Sequence, residues 1–302
     1  MSSHGHGGDS LRGFLLALAA YLIWGALPLY LHLLNHIPLP EVLVHRVIWA
    51  VPVALLVLLA LGRTADLRAA IVSPRLLAMA GLTAALVSVN WGVYLYAIQS
   101  GRVLDAALGY YINPLFSIFL GAVILRETLT RAQWASVALA GAAVALLTWE
   151  AGSLPLLSLS LTLSWGFYAL FKRALPIGPN QGFTLEVILL SPIGVGYVLW
   201  LWWQGDLRFG ATGVLDAVLL IGCGVVTAVP LMLYANGAKQ LRLTTIGLMQ
   251  YIAPTFVFLI AVLVFGEPFE GAKRVAFPVI WLALALYSAD LLVQRRRRLR
   301  AG

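Results

Sequence analysis

Apolar residues along this chain gather into ten runs separated by short polar or Gly/Pro-rich breaks. The runs cover 13–34, 41–61, 75–98, 104–125, 131–148, 154–172, 181–203, 213–238, 245–265 and 273–293. Each meets the ~17–25 residues that a helix needs to cross a ~30 Å hydrocarbon core. Breaks at 35–40, 62–74, 126–130, 176–180 and 204–210 separate them. The pattern predicts an all-α, polytopic membrane protein with ten transmembrane helices, five on either side of 150–153.

The second five runs repeat the first at an offset of 140 residues. Tyr111-Ile112-Asn113-Pro114 is answered by Tyr251-Ile252-Ala253-Pro254, Tyr94 by Tyr234, Arg102 by Arg242, Phe116 by Phe256, Glu127 by Glu267 and Pro52 by Pro192. The expected organisation is a disordered tail over 1–10, a five-helix repeat over 11–149, a second over 153–293 and a basic tail over 294–302. An odd number of spans per repeat turns the second half upside down relative to the first. Inverted repeats around a site near the midplane are the architecture of secondary transporters.

Composition narrows the class. Of 302 residues 61% are hydrophobic and 11% charged, against ~25% charged in a soluble domain, so no soluble core could hold the apolar share. The net charge is +8, and Arg295, Arg296, Arg297, Arg298 and Arg300 supply much of it directly after the last run. Such a cluster orients a membrane chain and meets anionic headgroups; it is no nucleic-acid footprint. With the N-terminus in the cytoplasm, 15 Lys and Arg fall inside and 4 outside, while Arg46 lies within a span. That bias follows the positive-inside rule and predicts cytoplasmic N- and C-termini. The single cysteine, Cys223, excludes an intrachain disulfide. His4 and His6 sit in a Gly/Ser-rich stretch that reads as a disordered tail with at most weak, incidental metal binding.

Polar and aromatic residues inside the runs are the candidate chemistry. Asn90 and Tyr94 are four apart on one helix face. Tyr110, Tyr111 and Asn113 share the fourth run; Gln250 and Tyr251 share its repeat mate. Trp24 and Trp165 correspond between halves, with Tyr168 one turn beyond. An unpaired amide at membrane depth costs several kcal/mol, so these groups face protein, water or a solute, and interhelical hydrogen bonding explains a single Asn equally well. Pro28, Pro52, Pro114, Pro192, Pro230 and Pro254 either shape packing or kink helices around a central pocket. Trp149, Trp203 and Trp281 lie nearer run ends and read as interfacial anchors.

The ionisable candidates are fewer. Arg46 and Glu186 are 140 residues apart and hence at equivalent positions. Arg46 is expected to be neutralised by Glu186, Glu41 or a substrate carboxylate, as a coupling charge or as a structural pair near the interface. His45 could relay protons near neutral pH, although a packing role is the simpler reading. Glu127 and Glu267, at run ends, are expected to be solvated or to cap helices.

Several segments carry a resemblance. Leu15-Leu16-Ala17-Leu18-Ala19-Ala20-Tyr21-Leu22-Ile23-Trp24-Gly25, His45-Arg46-Val47-Ile48-Trp49, Leu108-Gly109-Tyr110-Tyr111-Ile112-Asn113-Pro114-Leu115 and Gln250-Tyr251-Ile252-Ala253-Pro254-Thr255 together resemble the drug/metabolite transporter superfamily, specifically EamA-type transporters of the RarD group. The resemblance spans residues 11 to 295. It implies a bacterial inner-membrane protein of two inverted five-helix EamA repeats that exports amino acids, metabolites or drugs. It places the cavity on spans one, three, four, six, eight and nine, and by position on Trp24, Asn90, Tyr94, Tyr111, Asn113, Trp165, Tyr168 and Tyr251; Gln250, beside Tyr251, joins them as a solute-binding candidate from its own chemistry. In aromatic amino-acid exporters of the superfamily an aromatic residue precedes the span-four proline; here Asn113 does, so that specificity is not implied.

The expected function is secondary active or facilitative transport of small amphipathic solutes by alternating access. The alternatives are a passive channel and an intramembrane lipid-modifying enzyme. The spans hold no His–Glu metal helix motif, nucleophile elbow or paired aspartates, and no phosphate-binding Gly-rich loop ends in Lys-Ser/Thr. No catalytic residue, metal or cofactor is expected. The partners are a small-molecule solute and membrane lipids, with a homodimer allowed and no nucleic acid.

Overall fold

The structure, a computed structural model, describes residues 10–301 apart from 63, 125, 127, 239 and 242. The side chains at 65, 66, 69, 243, 244, 247 and from 294 onward are also outside the description. The expectations for His4, His6, Glu127 and the tail arginines therefore lie outside the described residues.

Among the described residues every regular element is helical: α1 (Leu11–His32), α2 (Leu39–Ala60), α3 (Ala65–Ile71), α4 (Pro74–Gln99), α5 (Val103–Val123), α6 (Arg131–Ala151), α7 (Leu156–Ala174), α8 (Pro179–Gln204), α9 (Val214–Ala238), α10 (Leu243–Met249), α11 (Ile252–Leu259) and α12 (Lys273–Ala301). A π-helical turn over Ile260–Val264 follows α11. Eight of these helices are long and apolar enough to cross a membrane: α1, α2, α4, α5, α6, α8, α9 and α12 over Lys273–Val293. The 19-residue α7 and the composite of α10, α11 and the π turn occupy the remaining two predicted spans.

Local chemistry sets the ends. Ser10 caps α1, Ser73 caps α4 with Pro74 in the first turn, and Pro179 opens α8, where a proline's missing N–H costs nothing. Thr130 and Gln133 form a capping box on α6, which stops at Gly152 in a left-handed conformation. Two features depart from the predicted runs. The break at 62–74 folds into α3, whose Leu67 and Ala70 pack with Leu58, Ala80 and Leu185. Span nine is interrupted at Gln250–Tyr251, where Pro254 deprives the Gln250 carbonyl of its helical donor.

The packing is exchanged into itself when the two halves swap. Helix α1 packs on α9 as α7 packs on α4, α2 on α9 as α8 on α4, and α1 on α11 as α7 on α5. Three further contacts, α2 with α8, α5 with α11 and α6 with α12, join equivalent helices. The same symmetry reaches single residues. A Cβ on Gly25 would come within 2.6 Å of Phe256, and one on Gly166 would collide with Phe116. The two phenylalanines are repeat mates, so each half inserts one ring against a glycine of the other. Close helix approach through small residues is the usual packing device where lipid supplies no hydrophobic drive.

Candidate functional site

A cavity of about 160 Å³ lies where the two halves meet. Its walls come from α1 (Tyr21, Trp24), α2 (Arg46), α4 (Asn90, Trp91, Tyr94) and α5 (Tyr110, Asn113) in the first half. The second half adds Trp165 on α7, Tyr234 on α9 and Gln250, Ala253 and Pro254 around the break in span nine. Asn113 is the eleventh residue of α5, about 15 Å from its end at 1.5 Å per residue, which is mid-membrane depth.

Aromatic rings make most of the wall. Tyr21, Trp24 and Tyr234 form a mutual triad with centroids 5.6, 5.6 and 5.7 Å apart. Tyr94 meets Tyr110 edge-on at 5.5 Å. Asn90 is internally satisfied: its amide donates to the Leu161 carbonyl (3.1 Å) and Ser164 Oγ (3.0 Å), and its oxygen accepts from the Tyr110 hydroxyl (3.1 Å). It ties α4 to α7 and α5. Asn113 differs, since its Oδ1 is buried without a hydrogen-bond partner.

Arg46 is the charged member. Its side chain is 2% exposed, its Nε donates to Thr227 Oγ1 at 3.1 Å, and its guanidinium lies 5.2 Å from the Trp91 ring centroid. Its Nη1 is buried without a partner, and no carboxylate pairs with it among the described residues. The expected partner Glu186 is engaged elsewhere. Fully buried, it accepts from Lys172 Nζ (2.5 Å), Thr83 Oγ1 (2.6 Å) and the Tyr168 hydroxyl (3.2 Å). The reason is depth. Gly194 of α8 sits against Val44 and Ile48, at the level of Arg46, and Glu186 is eight residues away, about 12 Å along the helix. In an inverted pair of repeats, equivalent positions off the midplane lie on opposite sides of it. Glu41 is not the partner either: its Oε1 accepts the Arg208 and Phe209 amides, both at 2.9 Å, and holds the α8–α9 loop to α2.

Of the nine residues expected at a solute pocket, Trp24, Asn90, Tyr94, Asn113, Trp165 and Gln250 line the cavity. Tyr168 binds Glu186 instead. Tyr111 and Tyr251 line a second cleft with Thr255, Trp281 and Ser288, and the Tyr111 hydroxyl bonds Thr255 Oγ1 at 2.8 Å. Successive helix residues point about 100° apart, so Tyr110 shares a face with Asn113 and Tyr111 does not. Tyr21, Trp91, Tyr110 and Tyr234 were missed as wall residues. The available signals were the i, i+3 spacing of Tyr21–Trp24 and Tyr110–Asn113, and the repeat relation of Tyr234 to Tyr94.

The remaining candidates take structural places. His45 Nδ1 accepts from Trp49 Nε1 at 3.1 Å and the ring stacks on Phe209 at 4.7 Å, outside the cavity. Glu267 Oε1 and Oε2 accept the Val103 and Leu104 amides at 2.6 and 2.8 Å, so it caps α5 from the loop before α12. Burial raises its pKa against the opposing pull of those two amides. Trp149 and Trp203 are exposed at helix ends, whereas Trp281 packs edge-on against Phe258 and Tyr111 inside α12.

Comparison with known proteins follows the same lines. The EamA-like transporter family model matches residues 11–149. Protein RarD of Streptomyces exfoliatus is 40% identical over 289 residues, covering 96% of this chain and 92% of that protein. Protein RarD of Escherichia coli strain K12 is 37% identical, covering 95% and 97%, and the uncharacterized transporter YojE of Bacillus subtilis strain 168 is 38% identical, covering 93% and 94%. A solved crystal structure 21% identical in sequence matches with a TM-score of 0.60 over 94% of this chain and 98% of that one, which is a likeness of fold. The chain thus belongs to the EamA-like transporter family of the drug/metabolite transporter superfamily, as a RarD-like multi-pass membrane protein.

Proposed function

We propose that this transporter moves small amphipathic solutes across a bacterial inner membrane by alternating access, in the direction of export, with both chain ends in the cytoplasm. The observation that supports the reading is the cavity at mid-membrane depth, walled by helices of both halves. Because α1, α2, α4 and α5 contribute one wall and α7, α9, α11 and the break before α11 the other, a rocking of one half against the other opens the cavity to one side as it closes the other. The symmetric exchange of contacts supplies two related ways to pack. Rings with a few polar groups suit a solute that is part apolar and part polar. The Lys/Arg bias supports the orientation.

Purified protein in liposomes tests this by counterflow. Loading vesicles with a transported solute accelerates uptake of its labelled form if one site faces the two sides in turn. Uptake that never saturates and shows no acceleration by internal solute would replace the carrier with a pore.

A further inference from the structure

We infer that the solute is a monoanionic organic acid, with its carboxylate on Arg46 and its apolar body among the rings of Tyr21, Trp24 and Tyr234. The inference rests on the transport reading and names its substrate class. A buried guanidinium without a counter-charge is costly, and the nearest compensations here are neutral: Thr227 at Nε and the face of Trp91. Nη1 is buried with a proton left to donate, on a residue that lines the cavity. A carboxylate supplies the missing acceptor and the missing charge together.

The cavity also fixes the charge number. Arg46 is its only Lys or Arg, and it contains no Asp or Glu, among the described wall residues. One negative charge therefore neutralises the site. A phosphate ester, at about −1.5 to −2, leaves an excess, and an amine is met by a buried cation of its own sign. Asn113 Oδ1, the other buried atom without a partner among the described wall residues, is a hydrogen-bond acceptor, so the solute carries a hydroxyl or N–H donor besides its acid group. The aromatic triad takes the apolar remainder, ring or chain.

Three probes of one shape separate the charges: phenyllactate, its reduced neutral diol and the cation phenylalaninol. Binding is read by tryptophan quenching and by thermal unfolding of the purified protein in nanodiscs. Phenyllactate is expected to bind at least ~10-fold more tightly than the other two, and Arg46→Gln to weaken it by at least ~10-fold while leaving the diol unchanged. Arg46→Lys, which keeps the charge but loses the planar fork, falls between. Without ligand, Arg46→Gln unfolds at a higher temperature than wild type, which also shows that the variant is folded. Equal binding of phenyllactate to wild type and Arg46→Gln, or equal stabilisation by sodium chloride, overturns the inference. Arg46-dependent binding without counterflow keeps the site and removes the carrier. A neutral or cationic solute exchanged at wild-type rate by Arg46→Gln keeps the carrier and removes the site.

Discussion

The fully buried Glu186 and its partner Lys172 give the sharpest energetic test, because the pair can be dismantled one charge at a time. Lys172 Nζ lies 2.5 Å from Glu186 Oε1, with side-chain exposures of 18% and 0%. Breaking a buried ion pair from one side costs about 3–5 kcal/mol, since the remaining charge is uncompensated, whereas replacing both partners by apolar residues is close to neutral. Glu186→Met strands Lys172, which can draw its ammonium toward the helix end, so the cost is near the low end, about 3 kcal/mol. Lys172→Met strands the deeper Glu186 with only the Thr83 and Tyr168 hydroxyls, and costs about 4–5 kcal/mol. The double variant is expected to lose about 1 kcal/mol. At roughly 2–4 °C per kcal/mol, Glu186→Met unfolds ~6–12 °C below wild type, and the double variant recovers most of that loss. Fluorescence-detected unfolding at one fixed scan rate reads the three midpoints, as membrane-protein unfolding is commonly irreversible. A double variant that loses the sum of the two single losses, about 7–8 kcal/mol, would show independent sites and refute the coupling.

Three further outcomes follow from the same packing and cavity. Gly224→Ala meets the Trp49 backbone and is expected to destabilise by about 1–3 kcal/mol through overpacking, while Gly141→Ala, with open space at its Cβ, is expected to be neutral or to gain up to ~1 kcal/mol of helix propensity; paired melting curves decide. In liposome counterflow Asn113→Ala is expected to slow exchange ~10-fold or more and Tyr111→Phe to leave it within about twofold; the reverse order would move the site to the second cleft. Because burial raises the Glu267 pKa in the fold, its contribution favours the protonated form. That contribution is complete below the ordinary glutamate range and is lost as pH rises through the elevated value. Glu267→Gln removes this slope, and a variant whose stability–pH curve parallels wild type would contradict it.

The runs and the repeat were legible in the sequence because lipid imposes length and apolarity on every span. Chemistry within a span was less so. Tyr110 and Tyr111 differ by one position and about 100°, and nothing in the residues says which of them faces the cavity until the packing of α5 on α7 and α11 is known. Arg46 and Glu186 looked like a pair because the offset equates them, yet inversion puts equivalent residues at different depths. Asn90 lines the cavity, but its three hydrogen bonds leave it as a strut. The segment α3 and the interruption in span nine depend on tertiary packing and local backbone accounting that apolar length alone does not encode.

The interruption has a consequence for resting behaviour. Pro114 lies inside an unbroken α5, while its repeat mate Pro254 follows a gap between α10 and α11. A carrier made of two identical copies would spend equal time open to each face. Here one copy has an unbroken helix where the other is interrupted, so under the proposed alternating access the two orientations would differ in free energy and the unloaded carrier would dwell in one of them. Such a preference would be a property of residues 243–264, separate from whatever the solute adds when it binds.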